Sequence, residues 1–342
     1  MNRHIFIITA LASILFLGLG CEKGQEKVVV SNAVTSAEPN KIELVKTAEP
    51  EPNLPQTQPV ETPAVEPVEQ PPVQPAEANK PPQLDPEVQL CEKSSQILRT
   101  YVNEQGWVNY RMLKRKKLEL LDVLDAFRNF DRDRYNSMSK DDKLAFWINA
   151  YNLELIKIIL DNYPIQSTRV LLLFYPANSI QHIKGLWDQN KFIVMNEEFT
   201  LQEIEQRFFK KEFNDPRTFF AIYYGTVSGP TLRNDAYCGP KLSEQLDEQV
   251  LSNLASGQIF RLDRQNKTVY ISAILKHTWN GPYFIEKYGT DLKFKQQPPE
   301  MRAILNFLTH YLPALDVDFL ETGNYSVDFM RYDWTLNELN GQ

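Results

Sequence analysis

Between Leu144 and Leu160 the apolar residues Leu144, Trp147, Ile148, Tyr151, Leu155, Ile158 and Ile159 recur at three- and four-residue steps, one face of an α-helix. The opposite face carries Ala145, Phe146, Ala150, Leu153 and Ile156. A helix apolar on most sides is enclosed by other elements, so the pattern predicts a buried central helix. Ser139, with Asp142 three positions on, caps its start, and Tyr163-Pro164 marks its end. Asn149 and Asn152 fall inside this apolar run. A buried amide needs partners, so both are expected to tie the helix to neighbouring loops rather than to line a site.

The same periodicity predicts helices over Glu87–Val102, Leu118–Phe127, Leu242–Leu254 and Met301–Tyr311. Phe192–Val194 and Phe199 read as a hairpin turning at Asn196-Glu197; Ile259–Leu262 and Thr268–Ile271 read as another. Thr200 and Glu203 form a capping box before Ile204 and Phe208. Phe219–Tyr224 is β-rich and predicts a buried strand. Helices come first and strands mix with helices later, so the fold class expected is α+β: a helical N-terminal part around the central helix, then a mixed or antiparallel sheet with flanking helices.

Composition changes along the chain. Residues 1–20 place Arg3 before an apolar run from Ile5 to Leu19, the layout of a secretory signal. Cys21 follows directly, and the segment resembles the bacterial lipoprotein signal, although Gly18 stands where leucine is expected. That resemblance implies lipid attachment at Cys21 and a place in the bacterial cell envelope. By resemblance to enterobacterial lipoprotein sorting rules, Glu22 in place of aspartate implies the outer membrane. Residues 21–85 are rich in proline and glutamate and nearly free of aromatics; they read as a disordered, extended spacer. Residues 86–342 are then the globular domain.

The formal net charge of −7 argues against nucleic acid as a partner. Cys21, Cys91 and Cys238 lie far apart, which argues against a disulfide framework and against a CxxC metal site. The four histidines, His4, His182, His277 and His310, lack metal-ligand spacing. No metal and no cofactor is therefore expected.

Six segments together carry a resemblance: AFWINAYN (145–152), NYP (162–164), LQEIE (201–205), DPR (215–217), LRNDAYCGPKLSEQL (232–246) and YDWTLN (332–337). In this order they resemble the domain of unknown function 547 family, from about Leu90 onward. The resemblance implies a papain- or transglutaminase-like thiol site, and at its positions this chain departs. Phe219 and Gln206 stand where histidines are common, and Tyr224 and Gly229 where cysteines are common. A thiol mechanism needs a thiolate beside a base, and these residues supply neither. The expectation is a domain that has lost this chemistry and binds peptide, glycan or an envelope protein. The alternative is a divergent cysteine-type hydrolase or acyltransferase using Cys238 and His277.

Other candidates are weaker. Ser228 lacks the G-x-S-x-G elbow, because Thr226 precedes it by two. Glu203 and Glu205, two apart on a helix, do not share a face, and Glu203 serves as a cap. Arg217 and Arg233 could hold an anion, but salt bridges are the expected role. The aromatics around Trp279–Tyr283 are assigned to packing.

Overall fold

The computed structural model describes residues 84–278 and 282–339. The expected signal, Cys21, His4, nearly all of the spacer, Trp279–Gly281 and the side chains of His277 and Tyr283 lie outside the described residues. The fold is α+β. Helix α1 (Pro86–Tyr101) is followed by the single-turn pieces α2 (Tyr110–Arg115) and α4 (Arg132–Ser137), which flank α3 (Lys117–Arg128). Then comes the long α5 (Lys140–Asp161). Strands β1 (Phe192–Val194) and β2 (Glu197–Phe199) lead into α6 (Leu201–Ile204) and α7 (Thr218–Ala221). Helix α8 (Leu242–Ala255), strands β3 (Phe260–Asp263) and β4 (Thr268–Ser272), and helices α9 (Ala273–Thr278), α10 (Pro282–Tyr288), α11 (Pro299–Leu308) and α12 (Ala314–Glu321) precede β5 (Ser326–Met330).

The central helix forms as its pattern predicts. Ser139 Oγ accepts from the Asp142 amide at 3.0 Å and donates to the Asp142 carboxylate at 2.6 Å, which closes the cap. Sixteen of its 22 residues are buried, so no face of α5 is a solvent face. Trp147 stacks on Phe208 with centroids 3.7 Å apart, and its indole N–H donates to Tyr135 Oη at 2.7 Å. A fully buried side chain of this size contributes about 1.5–3 kcal/mol.

The two amides of α5 act as backbone surrogates. Asn149 donates to Tyr237 O at 2.7 Å and accepts from Tyr237 N at 2.9 Å. Asn152 donates to Ala221 O at 3.0 Å and accepts from Tyr223 N at 2.7 Å. Each pair satisfies one donor and one acceptor of a loop that has no ladder partner of its own.

β1 and β2 form an antiparallel hairpin with Phe192 opposite Phe199. Met195 and Asn196 both have positive φ, the conformation of a type I′ turn. The second sheet is mixed. β3 pairs antiparallel with β4, Phe260 opposite Ile271, and β4 pairs parallel with β5, Tyr270 opposite Asp328.

Two expectations need correction. Phe219–Tyr224 is not a strand; its first residues form α7. Asp215 accepts from the Arg217 and Thr218 amides and, with Pro216, starts a helical turn. With no ladder beside it, β propensity has no pairing to act through. The cysteines are also not all free: Cys91 on α1 and Cys238 form a disulfide with Cα atoms 5.9 Å apart. Sequence separation of 147 residues hid this pairing, because the fold and not the spacing brings them together.

Candidate functional site

A cleft of about 560 Å³ opens beside Tyr224, within the range of small-ligand sites. Three chain segments supply most of its wall. The first begins at Thr200, where the capping box is complete: Thr200 Oγ1 accepts from Glu203 N at 3.2 Å, and Thr200 N donates to Glu203 Oε2 at 2.8 Å. The helix runs from α6 into π-helical turns over Glu205–Phe213, and ends at Asn214 in the left-handed conformation. The wider turns start at Glu205, and Gln202, Glu205 and Gln206 line the cleft.

The second segment is the loop after α7. Asn152 holds Ala221 and Tyr223, and the chain then turns at Gly225, whose φ is +65°. A Cβ there would meet Ile159 Cδ1 at 2.8 Å, so glycine is required by both conformation and space. This turn sets Tyr224 into the cleft wall. At Gly229 a Cβ would lie 3.1 Å from Tyr224 Cβ. The two positions where the family resemblance implies cysteines are therefore neighbours here.

The third segment is the C-terminal strap. Val227 N donates to Thr335 O at 2.9 Å, Asp333 N to Ser228 Oγ at 2.9 Å, and Thr226 Oγ1 shares a hydrogen bond with Tyr332 Oη at 2.6 Å. These bonds bring Tyr332 and Trp334 to the cleft, with ring centroids 4.4 Å apart. Trp187, whose centroid is 6.3 Å from that of Tyr224, Gln181, and Ala273 and Ile274 at the start of α9 also line it. The loop carrying Gln181 is fixed by buried His182. Its Nδ1 accepts from Thr168 N at 3.3 Å, which leaves Nε2 as the donor to Pro176 O at 2.9 Å.

Among the described residues that line it, the cleft has one charged member. Glu205 Oε1 accepts from Tyr151 Oη at 2.7 Å. Desolvation pushes its pKa above the ordinary carboxyl value, against the opposing effects of the Tyr151 hydrogen bond and Lys210. Burial likewise raises the Tyr224 phenol well above its usual value, and Glu205 and Tyr332 add to the shift. A phenol held neutral in this way is a poor nucleophile and a good hydrogen-bonding surface.

The residues singled out from sequence scatter around this cleft. Gln206 and Tyr224 line it; Phe219 packs behind, with its ring centroid 5.8 Å from that of Tyr224. Asn152 holds the Tyr224 loop from below, and Asn149 holds the Tyr237 loop elsewhere on α5. Arg217 is tied to Asp215 and Asp247, and Arg233 to Glu248; neither lines the cleft. Cys238 is in the disulfide and carries no free thiol. Glu205 was missed as a site residue. Its helix position was legible, but its depth depends on Tyr151, 54 residues earlier. Tyr332 and Trp334 belong to the YDWTLN segment of the resemblance, which gave no sign of a cleft, and Trp187 carried no signal beyond being aromatic.

An α+β domain built on a buried helix, with an aromatic cleft beside Tyr224, is the class that this geometry defines. The family model described as "Protein of unknown function, DUF547" matches residues 135–252, so that segment is similar to the family. It spans α5, the β1–β2 hairpin, the Tyr224–Gly229 loop and most of α8; the C-terminal strap lies beyond the matched segment. No curated protein and no solved structure matches the chain.

Proposed function

We propose that this chain is a bacterial envelope lipoprotein, anchored through Cys21 and probing its surroundings on a proline-rich spacer, whose folded domain binds a peptide, a glycan or an envelope protein without transforming it. The observation that carries the binding reading is the cleft itself. It includes Gln206 and Tyr224, two of the positions of the family's expected thiol site, yet its described lining is aromatic rings, amides, one carboxylate and the aliphatic Ala273 and Ile274. Such a lining holds ligands by stacking and hydrogen bonding. The Cys91–Cys238 disulfide weighs against a Cys238–His277 hydrolase, since a thiolate is the nucleophile such an enzyme needs. It also favours export, because disulfides persist in oxidising compartments. Among the described residues no helix is long and apolar enough to cross a membrane, and the anchoring proposed is through lipid.

Two measurements test this. Cys21→Ser should move the protein from the membrane fraction to the soluble fraction. The purified chain should retain members of a peptide and glycan array, and lose them when Gln206→Trp fills the cleft. Turnover of a peptide or ester library that a single point mutation abolishes would overturn the non-catalytic reading.

A further inference from the structure

Among the described residues that line the aromatic cleft, Glu205 is the one formally charged side chain. Its carboxylate receives one described hydrogen bond, from Tyr151 to Oε1, which leaves Oε2 for a ligand. Around it stand two aromatic pairs, Trp187 with Tyr224 and Tyr332 with Trp334. Aromatic faces carry negative quadrupolar potential and attract cations, most strongly where water is excluded. A carboxylate set among such rings offers a cation both a charge partner and aromatic faces, and Lys210 on the same helix balances it only in part.

We propose that the cleft recognises an alkylammonium group, its charge paired with Glu205 and its methylene or methyl groups enclosed by Trp187, Tyr224, Tyr332 and Trp334. This rests on the cleft's being a binding site and goes further by naming the ligand chemistry. A neutral sugar would stack on the same rings but would leave the carboxylate's charge uncompensated. Burial holds the Glu205 pKa above the ordinary carboxyl value and Lys210 on the same helix offsets only part of that, so a bound cation would relieve the remaining cost of the charged form. Gln181, Gln202 and Gln206 supply amides at the rim for the remainder of the ligand.

The test is calorimetric titration of the full chain with choline, Nα-acetyl-lysine amide, the doubly acetylated lysine amide and chitobiose. One of the two ammonium compounds should bind saturably; a preference for choline or for the lysine compound distinguishes a quaternary from a primary group. The doubly acetylated compound should bind at least about tenfold more weakly. Glu205→Gln should weaken ammonium binding by a similar factor. So should Gln206→Lys, at an exposed position where a new cation is tolerated by the fold. If the neutral compounds bind as tightly as the charged ones and Gln206→Trp blocks them, the cleft remains a binding site and the ammonium assignment is overturned. If none of the four binds, the ammonium assignment falls and the cleft's role as a small-ligand site falls with it.

Discussion

Among individual residues, the two polar classes buried on α5 behave in opposite ways. Asn152 has both halves of its amide used, by Ala221 O and Tyr223 N. Asn152→Ala leaves a buried carbonyl and a buried amide unpaired, and should cost about 2–4 kcal/mol in urea unfolding, with Tyr224 released from its place. Glu154 is buried on the same helix with Oε2 unpartnered. Burial pushes its pKa up to about 7 from 4.5, while Lys157 and Arg128 pull it down and Asp161 adds to the rise. The folded state accommodates the protonated acid. The stability this group contributes is therefore whole below pH 4.5 and is lost as pH rises through about 7. Glu154→Gln should make little difference at pH 4.5, and at pH 8 should stabilise by up to about 3 kcal/mol. Thermal melts across this range check it; a gain that shrinks with rising pH would show that the carboxylate is paired after all.

Among elements, what could be read from sequence is what local patterning controls. The apolar faces of α1, α3, α5, α8 and α11, the Ser139 and Thr200 caps and the β1–β2 hairpin all follow from residues within a few positions of one another. Phe219–Tyr224 failed because strand formation needs a partner that only tertiary structure supplies. β5 has no strand expectation in the sequence pattern, since its parallel partner β4 lies far back in the chain. The candidate site was half legible. Gln206 and Tyr224 emerged from the family's motif positions, but Glu205 was set aside as one of two carboxylates on different helix faces. The π-helical turns that begin at Glu205 break the 3.6-residue assumption behind that argument. The cap that starts this helix is open to test. Thr200→Ala removes the hydroxyl that accepts from Glu203 N, and should cost about 1 kcal/mol. Ligand binding in the cleft should weaken alongside, because α6 carries Gln202 and feeds Glu205 and Gln206. Unchanged binding at reduced stability would separate the helix start from the site.

For the whole molecule, the disulfide joins the first helix to the loop that Asn149 holds, and so closes nearly half the chain into one ring. Closing a loop of 147 residues removes unfolded-state entropy worth about 5 kcal/mol at 25 °C in the chain-entropy model, an amount comparable to the net stability of many domains. α1 also docks through a second route: Ser95 Oγ accepts from Ala236 N at 3.2 Å, and Arg134 on α4 pairs with Glu87. These contacts survive reduction, so the fold should persist without the cross-link but at lower stability. Cys238→Ala, or reduction of the native chain, should lower the urea midpoint substantially while leaving the cleft's ligand binding intact under native conditions. The cleft is supported from α5 by Tyr151, which bonds Glu205, and by Asn152, which holds the Tyr223 amide, and its described lining includes neither cysteine. Loss of binding on reduction, at a denaturant concentration where the fold is retained, would instead show that the cross-link and the cleft are coupled through α5. A midpoint unmoved by reduction would mean that the unfolded chain already holds α1 and the Tyr237 loop together.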